Sequence, residues 1–180
     1  MRIVLAAVAL ALGSALLGCS SPQPSRPAGL TDSARDASFG LEIATSADRY
    51  QAGDAIPITT TIAYLGPDER TTARSAYQSL VYFGLEQLDG PLDMPGGFNR
   101  LMCYSADLVR GQPVDVAYGK SGAWTGEDPN AAFWQAFFAD KQLRLPAGTW
   151  RVTATLATMT PDCRGPLDSV DASVTFRVDQ

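Results

Sequence analysis

Few residues in this chain have types and spacings suited to chemistry. Gly119-Lys120-Ser121 matches the end of a phosphate loop, whose glycine-rich backbone wraps phosphate oxygens. That motif needs an earlier glycine where this chain has Val114, so nucleotide binding is not expected. A serine nucleophile usually needs a histidine or lysine base, yet histidine is absent and neither G-x-S-x-G nor S-x-x-K occurs. Paired carboxylates could hydrolyse glycosides. However, Glu86, Asp89, Asp93, Glu127 and Asp128 all sit near turn signals, where acids are common anyway. Glu127, Asp128 and Asn130 could meet calcium, but the EF-hand spacing is missing. The expectation is a non-enzymatic protein with no cofactor and no metal.

One segment stands out instead. In "GAWTGEDPNAAFWQAFF", four aromatics fall between Phe133 and Phe138: Phe133, Trp134, Phe137 and Phe138. Asp128-Pro129 reads as a helix start, with Asp128 capping the first amides and proline in the first turn. On the following helix the four aromatics lie within roughly 140° of one face. Ala131, Gln135 and Ala139 take the other. Two readings stay open. The face plugs one end of a core, or Trp124, Phe133, Trp134, Phe137 and Phe138 contact a ligand or partner, as exposed tryptophans favour.

The elements around this helix read as strands. Phe39, Leu41 and Ile43 alternate with polar residues. Ile56, Ile58, Ile62 and Tyr64 follow, and then Val81, Phe83 and Leu85, ending at Asp89-Gly90. Val114, Val116 and Tyr118 share a face, as do Trp150, Val152, Ala154 and Leu156. Val170, Ala172, Val174, Phe176 and Val178 give the cleanest period of two. About seven short strands with turns between them predict a mainly β fold, an antiparallel β-sandwich with one short inserted helix.

The first residues carry a different message. "MRIVLAAVALALGSALLGC" has one cation, Arg2, and an apolar run from Ile3 to Leu17. Leu16-Leu17-Gly18-Cys19 resembles the bacterial lipobox, which implies cleavage before Cys19 and a diacylglyceryl group on its thiol. Two acyl chains suffice for stable membrane attachment. The expected organisation is a signal peptide over 1–18, a lipidated flexible tether over 19–38 and one domain over 39–180. Without Arg2 the mature chain has 13 basic and 19 acidic side chains, 13 − 19 = −6. With no basic cluster, this balance argues against nucleic acid as a partner. Cys103 and Cys163 then remain as a single pair, for which a disulfide is the default in an oxidising compartment.

"RYQAGDAIPITTTIAYLG" and "LRLPAGTWRVTAT" resemble the opening and the penultimate strand of bacterial extracellular immunoglobulin-like domains, with Trp150 where a tyrosine is usual. More loosely, they resemble the domain of the BsuPI-type proteinase inhibitors. The resemblance covers residues 39–65 and 143–178 and implies an immunoglobulin-like sandwich. Residues 66–142 depart from it with a long insertion, so inhibitor activity is not implied. The functional expectation is a membrane-anchored, extracytoplasmic module that contacts a protein or a glycan. The alternative is a carrier holding a small apolar ligand beneath the aromatic helix.

Overall fold

The computed structural model describes residues 29–95 and 102–180. The signal peptide and Cys19 fall outside these residues. The described chain is mainly β, with ten strands and one helix. One four-stranded sheet runs in the order β1 (Thr31–Arg35), β2 (Phe39–Thr45), β4 (Ile58–Tyr64), β8 (Val114–Ala117). The second runs β3 (Arg49–Gln51), β10 (Pro166–Asp179), β9 (Gly148–Met159), β6 (Val81–Gln87). A separate ribbon pairs β5 (Arg70–Ser75) with β7 (Tyr104–Val109).

The core forms where the apolar faces of the two large sheets meet, as alternation in their strands requires. Phe39, Leu41 and Ile43 of β2 and Ile62 and Tyr64 of β4 are buried on one side. Val81, Phe83 and Leu85 of β6, Trp150 to Leu156 of β9 and Val170 to Val178 of β10 supply the other. Trp150 has no exposed surface and satisfies its indole by donating Nε1–H to the Pro146 carbonyl at 3.0 Å. The β9–β10 hairpin is the spine, in register from Gly148↔Val178 to Ala157↔Ser169.

Three sequence expectations need correction. The tether does not extend to residue 38, because Thr31–Arg35 is an edge strand paired antiparallel with β2. Its side chains are nearly all exposed, so no apolar alternation betrays it. Two contacts fix it. The Asp36 carboxylate accepts the Ser38 and Phe39 amides, each at 2.7 Å, and turns the chain into β2. Asp32 accepts the Ser173 amide of β10 at 2.8 Å, tying the two sheets together. Second, the sheets are not wholly antiparallel: β3 runs parallel to the end of β10, with Tyr50 opposite Val178. Third, Val114 does not join Val116 and Tyr118 against the core, since it is 41% exposed on the edge strand β8.

Cys103 and Cys163 stand within disulfide distance, their Cα atoms 5.7 Å apart across 60 residues of sequence. Cys163 sits in the β9–β10 turn with φ 55°, and Cys103 immediately precedes β7. The pair therefore joins the tip of the spine hairpin to the small ribbon.

Candidate functional site

The helix α1 (Ala131–Ala139) forms where the aromatic pattern places it, but not by the expected cap. Asp128 does not cap it. Its carboxylate accepts the Thr125 amide at 2.5 Å and closes the preceding turn. Asn130 occupies the N-cap position and makes no side-chain cap bond; it donates instead to the Pro91 carbonyl at 3.4 Å.

Of the four aromatics, Trp134 and Phe137 are in the core, 2% and 4% exposed. They meet edge-to-face with centroids 5.5 Å apart. Phe133 and Phe138 pack against that core but remain partly exposed, as does Trp124. The structure thus separates the five aromatics grouped by sequence: Trp134 and Phe137 are spent on packing, while Phe133, Phe138 and Trp124 keep some surface. Beside the helix lies an open groove of about 330 Å³, bounded by Ala52, Gly53, Phe133, Phe137, Arg144 and Pro146.

Lys120 explains the phosphate-loop fragment. Its ammonium donates to the carbonyl of Phe137 and, at 2.7 Å, to that of Asp140, at the helix C-terminus. A cation there meets the negative end of the helix dipole and satisfies orphan carbonyls. The ammonium also lies 4.0 Å from the centroid of the Phe137 ring. Burial holds the Lys120 pKa below its usual value, against the opposing pull of Asp140. Ser121 has a structural duty too, accepting the Phe83 amide at 3.0 Å. Lys120→Met keeps the apolar stem and removes both bonds. Discounted for residual solvent contact, the loss should be about 1 kcal/mol by chemical denaturation. Faster amide exchange at the end of α1 should accompany it, and unchanged exchange there would refute the clamp.

Two further carboxylates have local structural partners. Glu86 pairs with Arg151, and Asp89 accepts the Thr149 amide at 2.9 Å, which lowers its pKa. No group of three or more metal-ligating side chains occurs among the described residues.

A second concavity was not singled out by sequence. It measures about 380 Å³ and lies between the start of β6 and the 117–122 segment, lined by Tyr77, Gln78, Ser79, Tyr82, Lys120 and Ser121 among others. The rings of Tyr77 and Tyr82 pack against each other there in a tilted arrangement, with centroids 4.4 Å apart and planes inclined at 34°. Burial raises the Tyr77 pKa, aided by the neighbouring Tyr82 hydroxyl. The usable signal was Tyr82, an aromatic at the outward position between inward Val81 and Phe83.

Neither a family model, nor a curated protein, nor a solved structure matches the chain.

Proposed function

We propose that this chain is a lipid-anchored protein of the cell envelope, acting without catalysis by presenting an immunoglobulin-like β-sandwich to a protein or glycan. The observation that carries the interaction reading is the filled core under α1. Trp134 and Phe137 occupy the space that a carrier would leave for its cargo, and the adjoining groove is open to solvent. An enclosed apolar chamber would have favoured the carrier.

The anchor rests on Leu16-Leu17-Gly18-Cys19, with β1 beginning at Thr31, twelve positions beyond Cys19 (31 − 19). A domain starting so soon after the acylated cysteine would sit close to the bilayer surface. The bridge between Cys103 and Cys163 suits an oxidising compartment.

The anchor is tested in the producing bacterium. Wild-type chain should incorporate labelled palmitate, and Cys19→Ser should abolish incorporation and leave an uncleaved or soluble precursor. Equal labelling of the two would remove the lipoprotein reading. The interaction reading is tested separately, by capture from native envelopes with the anchored chain as bait. Failure to retain any protein or glycan would count against it.

A further inference from the structure

We propose that the cleft between β6 and the 117–122 segment is a saccharide-binding site. This deepens the interaction reading and rests on it.

A sugar ring offers a flat C–H face and a rim of hydroxyls, so its site needs an aromatic plane beside short polar groups. The cleft supplies both. Tyr77 and Tyr82 form a paired aromatic wall at 4.4 Å, and tyrosine combines an apolar body with a polar tip. Gln78, which is exposed, offers an amide able to donate and accept at once. Ser79 and Ser121 line the same space. The volume of about 380 Å³ falls in the usual range for small-ligand sites, about 300–1,000 Å³.

Two other ligand classes fit less well. A phosphate would look for a free cation, but the Lys120 ammonium is already engaged by the Phe137 and Asp140 carbonyls. An extended peptide would need a row of free backbone groups along β6. That edge is partly taken: Ser121 holds the Phe83 amide, Met94 donates to Leu85 at 2.8 Å, and Gln87 donates to Leu92 at 2.6 Å. The site is also braced from behind. A Cβ on Gly122 would meet Met94 and the Pro95 carbonyl, each at 2.7 Å, so the lining is closely packed at that residue.

The test titrates the isotopically labelled mature chain with cellobiose, chitobiose and digalacturonate, reading amide shifts by NMR. At least one sugar should produce saturable shifts at Gln78, Ser79 and Gly119. Tyr77→Ala and Gln78→Ala should each weaken that binding by about tenfold or more, as loss of a central contact does. Gln78→Ala should melt with the wild type and Tyr77→Ala only a few degrees below it, both remaining folded at the temperature of the titration, which keeps lost binding distinct from lost folding. Shifts that map elsewhere, or that survive both substitutions, would overturn the site. Silence from all three sugars would overturn the saccharide class, and binding of an extended peptide along β6 would replace it. If envelope capture succeeds while every sugar fails, the interaction reading stands and only the cleft falls. If capture fails too, both fall.

Discussion

The oxidised chain should lose about 4 kcal/mol of stability when Cys103 and Cys163 are both replaced by serine. The estimate follows from closing a loop of 60 residues in the unfolded ensemble. It is a large share of the stability of a typical domain, about 5–15 kcal/mol. The native contacts argue that the link costs the fold little, because both cysteines sit outside the strands, in a turn and at a strand entry. The Cys163 amide donates to Thr160 at 2.8 Å, and the Asp162 carboxylate accepts both the Thr160 hydroxyl and the Arg164 amide. That turn is held without the sulfur. The double variant should therefore keep its strand content and near-ultraviolet spectrum while its denaturation midpoint falls. Reducing the wild type should reproduce the shift, and reduction should leave the variant unmoved. Equal midpoints for oxidised wild type and double variant would show that the pair contributes nothing.

How much of this was legible in sequence depends on where each strand buries its side chains. β2, β6, β9 and β10 expose one face and bury the other, so alternation in Phe39-Leu41-Ile43 or Val170 to Val178 announces them. β5 and β7 give no such signal. Their inward positions are filled by Ala73, Ser75 and Leu108, two of them too small to stand out against "RTTARS". β1 is legible only through the Asp36 turn that follows it. β3 is three residues long, and its parallel partner lies near residue 178, a pairing that no local pattern contains.

The candidate site divides along the same line. The aromatic helix was visible because helical spacing is local. Which of its rings enters the core was not, since Trp134 and Phe137 share that core with residues far away in sequence, such as Leu85 and Trp150. Lys120 belongs to a motif fragment from which no nucleotide binding was expected, and its actual part, a helix-end clamp, depends on a helix that begins 11 residues further along the chain (131 − 120). The tyrosine cleft joins residues 77–82 to 117–122 and exists only once β6 and β8 take their places in different sheets.

Trp134→Ala should be the most damaging single substitution in α1. If the aromatic face is a plug, Trp134→Ala would cost less than Phe133→Ala or Phe137→Ala only with Trp134 at its rim. It is not at the rim: Trp134 is 2% exposed, and its ring packs against those of Phe133, Phe137 and Phe138. Truncating a buried tryptophan or phenylalanine typically costs about 3–5 kcal/mol, combining lost transfer energy with the cavity left behind. Trp134→Ala and Phe137→Ala should both fall in that range. In a domain of this size, 3 kcal/mol corresponds to a drop of roughly 6–12 °C in the melting midpoint. Phe133→Ala and Phe138→Ala remove rings that keep part of their surface in water, so each should cost less, about 1–2 kcal/mol. A melting series on the four variants therefore has an ordered outcome, with Trp134 and Phe137 low and Phe133 and Phe138 high. If Trp134→Ala melted with the wild type, α1 would not be a plug. Its aromatic face would then be free for a ligand, and the carrier reading would displace the one proposed above.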